Sequence, residues 1–376
     1  MLIVGRYFEP GFKAGGPVRS ISNLISLLAG HLRISLLTSD RDYLDEKAYD
    51  DVLINTWHQL KSQKSEVNIC YLSPNKRLRG LLEGIKSADT VYINSFFDPI
   101  FAIYTLIVGK LYSKQIVLAP RGEFAPSALN IKSSKKNLYL FFFRVFRLYN
   151  RINWHATNAV EKSQIMSLFD STRVFIIPNL SREPAYELSK TEKKEGFLNI
   201  FFLGRVARMK NLDFAIEVLG RVKRRCKFSI YGPIDDTLYW ELCQQQIAKL
   251  PEEVEVVYCG EAKQSQIASI VEKHDLLFMP SLGENFGHAI AETLARGIPT
   301  LVSDRTPWKD LGRYNAGWSF QLDDRKKFIK KIQELTDLDP HSFVEMRNAT
   351  IRYYKHYHEE SKALAFEGFM KIFTRA

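Results

Sequence analysis

Two successive series of short apolar runs, each run followed by a segment with helical periodicity, most narrow the folds open to this chain. In the first half the runs fall at 2–4, 34–37, 67–72, 91–93 and 116–118, and in the second at 199–203, 228–231, 254–258, 276–279 and 300–302. Strands that are apolar along their whole length are buried on both faces, and their alternation with helices makes the sheet parallel. The polar stretch SREPAYELSKTEKKEG at 181–196 follows a further run at 174–177, carries Pro184 and separates the two series. With 376 residues the chain also exceeds what a single core usually serves. The expected fold class is therefore α/β, with two Rossmann-like, doubly wound parallel-sheet domains facing a central cleft where the ligand binds. Their bounds are 1–180 and 197–350, with 181–196 as linker. Residues 351–376 form a final helix expected to pack back on the N-terminal domain.

Composition removes several classes. Apolar residues make up 45% and charged residues 25%, which is a folded protein without large-scale disorder. Cys70, Cys226, Cys243 and Cys259 show no C-x-x-C pair and no zinc spacing, so they read as reduced cytosolic thiols. No signal-peptide pattern opens the chain, and the apolar stretch 100–108 is too short to cross a bilayer, which makes it a buried helix and the expected location cytoplasmic. A net charge of +11 calls for an anionic partner. No nucleic-acid recognition motif accompanies that charge, so nucleic acid is not the expected partner.

The chemistry concentrates in PSLGENFGHAIAETLARGIPTLVSD, which starts at Pro280. Pro280 and Gly283 end a strand, a helix follows, and Gly297 and Pro299 close it. Glu284 and Glu292 stand eight positions apart, up to roughly 12 Å if the segment is helical throughout. Backbone N–H groups of Asn285, Phe286 and Gly287 at a helix start can bind ligand oxygens, and Gly287 permits close approach. Glu292 can accept two hydroxyl hydrogen bonds, as a ribose diol requires. An arbitrary pair of glutamates at this spacing is usually just two solvated side chains on a capped helix.

The surrounding residues change that reading. Glu-Asn-Phe-Gly, then Ala-Glu-x-Leu-Ala, Gly-x-Pro and Ser-Asp-x-Thr-Pro-Trp resemble family 4 of the retaining glycosyltransferases, whose fold is GT-B, most specifically over 280–308. The resemblance implies that Arg205 and Lys210, in FLGRVARMKN with Gly204, hold a donor diphosphate. Two fixed cations there would stabilise the departing nucleoside diphosphate more in the transition state than in the ground state, so no metal and no other cofactor is expected. By the same resemblance Gly15 and Gly16 form the Gly-rich N-terminal loop near the donor phosphate. Gly232 with Pro233, and Gly260 with Glu261, flank the nucleotide base, and Glu284 with its turn meets the sugar. A retaining outcome is likewise implied by the family.

VLAPRGEFAPSAL resembles the Pro-Arg-Gly segment of a bacterial surface-polysaccharide branch, which places Arg121 beside the reacting centre. Arg121 cannot act as a base at neutral pH but can bind an acceptor phosphate or stabilise the leaving group, and Glu123 is a nearby carboxylate. The plainer reading is an Arg121–Glu123 structural pair. Asn94 and Asp98, in NSFFD, occupy a place where relatives often carry His-Gly, and are further acceptor-side candidates. The expected partners are a UDP- or GDP-linked sugar donor and a growing, lipid-linked glycan of O-antigen or capsule type.

The segment KSSKKNLYLFFFRVFRLYNR at 132–151 has six cations and no acid. Its cations fall mostly on one helical stripe, with apolar residues elsewhere, so it can lie on an anionic membrane at the inner face of the plasma membrane. A helix burying its apolar face in the first domain is the plainer alternative. Two rival functions remain open. Asp40 and Asp42, and again Asp337 and Asp339, have the Asp-x-Asp form of metal-dependent transferases. The Gly-rich loop could serve a dinucleotide oxidoreductase, although G-x-G-x-x-G is missing.

Overall fold

The computed structural model describes all residues except 63–64, 130–132, 171–172, 182, 184–192 and 375–376. The chain divides into two compact units, one of Met1–Leu180 with Glu360–Ala376 and one of Ser181–Glu359.

In the first unit β1 (Leu2–Val4), β2 (Ile34–Ser39), β3 (His58–Ser62), β4 (Ser65–Leu72), β5 (Thr90–Ile93), β6 (Gln115–Leu118), β7 (Ile152–Ala156) and β8 (Val174–Ile176) make one sheet in the order β3-β4-β2-β1-β5-β6-β7-β8. Every pairing is parallel except β3 with β4. Because side chains alternate across a strand, Leu2, Val4, Leu37, Val91, Ile93, Ile116 and Leu118 enter one apolar layer, while Ile3, Leu36, Tyr92 and Val117 enter the other. The second layer is completed by Ala365, Phe369 and Ile372 of the C-terminal helix. That helix is one element, Pro340–Thr374, longer than the 351–376 expected from the sequence, and only its part from Glu360 onward belongs to the first unit.

The second unit is a six-stranded, all-parallel sheet of β9 (Phe197–Leu203), β10 (Arg225–Tyr231), β11 (Val254–Gly260), β12 (Leu276–Met279), β13 (Thr300–Ser303) and β14 (Gly317–Phe320), ordered β11-β10-β9-β12-β13-β14. In each sheet the strand order reverses beside the first strand, between β1 and β5 and between β9 and β12. The loops leaving those C-terminal edges diverge and open a crevice within the unit.

Three strands escape the sequence patterns. β3 is a polar edge, HQLKS, β7 carries Asn153 and His155 among its apolar residues, and β14 is four residues opening on glycine. The buried helix expected at 100–108 is two elements, a π-helical turn Pro99–Tyr104 and an α-helix Thr105–Leu111. The Asp98 carboxylate caps the turn, accepting from the N–H groups of Ile100 at 2.9 Å and Phe101 at 2.7 Å. Most of the linker expected at 181–196 lies outside the described residues. Its end is firmly held: Lys193 Nζ is buried and donates to the carbonyls of Thr336 and Leu338, both at 2.9 Å.

Candidate active site

At the β9–β12 crevice of the second unit, the loop after β9 ends in a single 3-10 turn, Arg208–Lys210, followed by Asn211 in the left-handed region at φ 57°. Asn211 Nδ2 donates to the Pro280 carbonyl at 3.0 Å, and Leu282 N–H donates to Met209 O at 2.9 Å, so the loops after β9 and β12 are stitched together. This brings Lys210 Nζ to 2.5 Å from Glu284 Oε1, with both side chains largely buried. Ser281 Oγ donates to the same carboxylate oxygen at 2.8 Å. Arg205, more exposed, reaches Asp235 at 2.8 Å. Of the residues singled out from sequence, Lys210 and Glu284 are thus brought together and joined by Ser281, while Arg205 is joined by Asp235 on the loop after β10. Those two were missed, because a serine and an aspartate in loops carry no signal until their partners are known.

Glu284 lies in a loop and not on the helix, which runs only from His288 to Leu294. Glu292 is on that helix, buried, and its Oε1 accepts from Gln264 Nε2 at 3.1 Å. Gly287 precedes the helix at φ 80°, where a Cβ would come within 2.8 Å of Ile290 Cδ1. Phe286 is buried against Trp308, whose Nε1 donates to the Phe286 carbonyl at 2.6 Å. The Thr-Pro-Trp loop therefore fixes the Asn285–Gly287 turn from behind, and the Phe286 ring is part of the core.

Gly204 and Gly232 meet each other. Gly232 has φ 143°, and a Cβ there would lie 2.0 Å from the Gly204 carbonyl oxygen. Val206 N–H donates to Pro233 O at 2.8 Å, and Gly232 N–H to Gly260 O at 2.8 Å. These residues hold the loops after β9, β10 and β11 in contact, and Glu261 stands exposed beside them.

In the first unit, Gly15 caps the helix Gly16–Leu28 at φ 66°, as the Gly-rich loop requires. Asp42 serves that loop: its carboxylate accepts from the N–H groups of Phe12 at 2.7 Å, Lys13 at 3.0 Å and Tyr43 at 2.7 Å. Asp40 is buried and paired with Arg41 at 2.9 Å. Asp337 pairs with Arg224 at 2.7 Å, and Asp339 accepts from Ser342 N–H at 2.9 Å. Each Asp-x-Asp thus has a local structural employment. Among the described residues no group of three or more His, Cys, Asp or Glu is placed to hold a metal ion.

Arg121 sits after β6 at φ 56°, a conformation unusual for a side chain of its size. Nε donates to Asn94 Oδ1 at 2.7 Å, one terminal nitrogen donates to Asn179 Oδ1, and the other to the Tyr92 hydroxyl at 2.6 Å. The Arg121–Glu123 structural pair, the plainer alternative, is not what forms. Glu123 instead accepts from the N–H groups of Phe96 at 2.6 Å and Phe97 at 3.0 Å and from Ser95 Oγ at 2.8 Å, and burial pushes its pKa up. Asp98, the capping residue, also pairs with Arg6 at 3.2 Å. Asn94 and Arg121 are therefore joined, while Asp98 and Glu123 hold neighbouring loops in place. Behind Arg121 the Tyr92 hydroxyl lies 2.8 Å from His155 Nδ1, and His155 Nε2 lies 2.9 Å from the Ile177 carbonyl. Since a carbonyl only accepts, Nε2 carries the proton and Nδ1 accepts from Tyr92, which leaves the phenol oxygen to receive Arg121.

Burial, with the Arg121 charge second, holds His155 well below the ordinary imidazole range. A depressed histidine adds stability that is complete above the unfolded-state value near 6.5 and declines as pH falls below it, by up to about 1.4 kcal/mol per pH unit. Thermal unfolding of the intact protein between pH 7.5 and 5.5 should show this loss, and His155→Gln should flatten it. His274, lowered mainly by burial, contributes with the same sign and leaves a residual slope.

Residues 186–357 match the family model for glycosyl transferases group 1. The chain carries a group 1 glycosyltransferase domain. That domain lies inside the second unit and contains the Lys210–Glu284 pair. An uncharacterized 41.2 kDa protein in the cps region of Klebsiella pneumoniae is 21% identical over 228 residues, and the match spans 57% of this chain and 60% of that relative. Among solved structures, the chain resembles Anabaena HepE in complex with UDP and glucose, with a TM-score of 0.70, 13% identity and coverage of 100% and 99% of the two chains. It resembles Thermosynechococcus elongatus sucrose-phosphate synthase with a TM-score of 0.72, 14% identity and the same coverage. The lipopolysaccharide outer core galactosyltransferase WaaB gives a TM-score of 0.59 at 16% identity, covering 99% and 98%. At such low identity these likenesses carry the fold, which is GT-B.

Proposed function

We propose that this group 1 glycosyltransferase moves a sugar from a UDP- or GDP-linked donor to a growing, lipid-linked surface polysaccharide of capsule or O-antigen type, with retention at the anomeric carbon and without a metal. The carrying observation is the Lys210–Glu284 pair at the β9–β12 crevice, with Arg205 on the same loop after β9. In the proposed arrangement Arg205 and Lys210 receive the diphosphate, Glu284 with the Asn285–Gly287 turn receives the sugar, and Glu292 accepts from the ribose hydroxyls. A leaving diphosphate gains charge as the glycosidic bond breaks, and its own oxygen deprotonates the acceptor hydroxyl on the same face, which preserves configuration. Fixed cations in a partly dry site stabilise that developing charge without reorganising. Arg121, anchored through three donors and always cationic, suits an anionic group of the acceptor. The cps-region relative and the UDP-bound structural neighbour support this choice of donor and pathway. The membrane side of the reading, a peripheral contact through 132–151 at the inner face of the plasma membrane, fits an acceptor held in lipid.

A thermal-shift and hydrolysis screen with UDP- and GDP-sugars tests the donor class. Stabilisation by at least one of them that survives EDTA is expected, whereas activity abolished by EDTA and restored by Mn²⁺ would overturn metal independence. Glu292→Ala should raise donor KM about tenfold or more with a smaller change in kcat, since hydroxyl contacts remote from the reacting bond bind ground and transition states alike. An unchanged KM would remove Glu292 from the ribose.

A further inference from the structure

The helix Ser133–Val145 does not divide its residues as an ordinary surface helix does. Its core side is Leu140 and Phe143, both buried, with Phe143 packed on Phe96 at 4.8 Å and Phe169 at 5.2 Å between ring centres. A second apolar side faces away: Leu138 is 57% exposed, Phe141 58%, Phe142 48%, Val145 57% and Phe146 67%. Phe146 N–H still donates to Phe142 O at 3.0 Å, so the helical turn continues that far. At 3.6 residues per turn these five side chains occupy about 140° of the helix surface. Phe142 and Phe146 stack with their planes 14° apart, and Phe141 lies 5.6 Å from Phe142, so the patch is continuous. From the sequence the cations were expected mostly on one stripe with apolar residues elsewhere, the helix either lying on an anionic membrane or burying its apolar face in the first domain. The structure instead shows an exposed apolar ridge as well as the buried one. Lys132 lies outside the described residues.

The charge around the ridge says what covers it. Residues 124–160 contain no aspartate or glutamate. Lys135, Arg144, Arg147 and Arg151 are exposed along the same segment. Arg144 Nε donates to Leu168 O, and Lys136 Nζ is turned to Ala128 O, so the helix is fastened to its unit by its polar atoms as well as its core side. An apolar ridge flanked in sequence by one sign of charge matches the layered chemistry of an anionic bilayer, hydrocarbon below and phosphate above. No described helix is long and apolar enough to cross a membrane, which makes insertion in the interface the available mode.

We propose that Leu138, Phe141, Phe142, Val145 and Phe146 insert into the acyl boundary of an anionic membrane, with Lys135, Arg147 and Arg151 meeting the lipid phosphates. The inference rests on the membrane side of the functional reading and gives that contact its mode, insertion of the apolar ridge.

Vesicle sedimentation with the full chain tests it, using phosphatidylethanolamine–phosphatidylglycerol vesicles and the same vesicles without phosphatidylglycerol. Wild-type protein should bind the anionic vesicles and retain much of that binding in 0.5 M NaCl, where screening confines charge effects to a few ångströms. A triple variant, Phe141→Ser, Phe142→Ser and Phe146→Ser, should bind at least tenfold more weakly, because each lost phenyl removes apolar transfer energy. Donor hydrolysis by that variant in solution should stay at the wild-type level, which also shows that it folds. A Phe142→Trp variant should be quenched by brominated acyl chains. Binding abolished by 0.5 M NaCl and indifferent to the serine substitutions would overturn insertion while keeping peripheral contact. A wild-type protein that ignores both vesicles and forms dimers dissolved by the triple variant would make the ridge a protein interface and overturn the proposal. Loss of donor hydrolysis by every form would instead strike the enzymatic reading.

Discussion

Lys210→Ala is expected to lower kcat for sugar transfer about a hundredfold to a thousandfold, with a much smaller change in donor KM. Lys210 is held at 2.5 Å from Glu284 by the stitched loops after β9 and β12, so its position is set before any donor arrives. A cation in that state loses little by rearrangement and gains most when the leaving diphosphate acquires its extra charge, so its removal falls on the transition state. Steady-state kinetics separates the cases: a fall in kcat and in kcat/KM together fits this role, while a rise in KM alone would make Lys210 a ground-state binding residue. Lys210→Arg should recover part of the rate, since charge is kept but the compact ammonium geometry is not. The unfolding temperature of the alanine variant should drop only slightly, because Glu284 keeps the Ser281 hydroxyl as donor.

Gly232→Ala should be among the most destabilising single methyl additions in the second unit. The new Cβ would lie 2.0 Å from the Gly204 carbonyl oxygen and 2.6 Å from its carbonyl carbon, and main chain cannot rotate aside as a side chain can. Overpacking against backbone, added to a φ of 143°, should cost about 3 kcal/mol or more, equivalent to a fall of about 6–12 °C in Tm for a unit of this size. Gly260→Ala supplies the comparison. Its φ is 78° but nothing lies within 4 Å of the added carbon, so only the backbone penalty of about 1–2 kcal/mol applies. Equal effects of the two substitutions, read by calorimetry, would mean that the Gly204–Gly232 contact gives way. Since Gly204 precedes Arg205, whatever Gly232→Ala leaves folded should also bind donor less well.

Much of the proposed donor side could be named from sequence because its residues lie in one continuous motif. Glu284, Asn285, Phe286, Gly287 and Glu292 sit within nine positions, and the Thr-Pro-Trp that follows supplies the support. The first-unit residues were harder to place. Asn94 and Arg121 were named as separate candidates, yet they are one hydrogen-bonded pair with Asn179 and Tyr92, brought together from three different strands, β5, β6 and β8, and the loops that follow them. Asp98 and Glu123 looked like binding carboxylates, and their oxygens are taken by backbone N–H groups of nearby turns. A carboxylate in a strand-end loop reads the same in sequence whether it faces a ligand or an orphan amide, because both want an acceptor.

By itself the sequence determined the class of fold and the number of units. Uniformly apolar strands can only be buried on both faces, and that requirement is local and periodic. It also singled out the residues proposed to hold the donor, through glycine, proline and charge at fixed offsets. Tertiary structure alone decided which partner each charged group takes, that Gly232 is required by Gly204, and that the helix Ser133–Val145 has one apolar side in the core and another in solvent. Periodicity reports that a helix has apolar faces, but which of them is covered depends on what the rest of the chain brings against it.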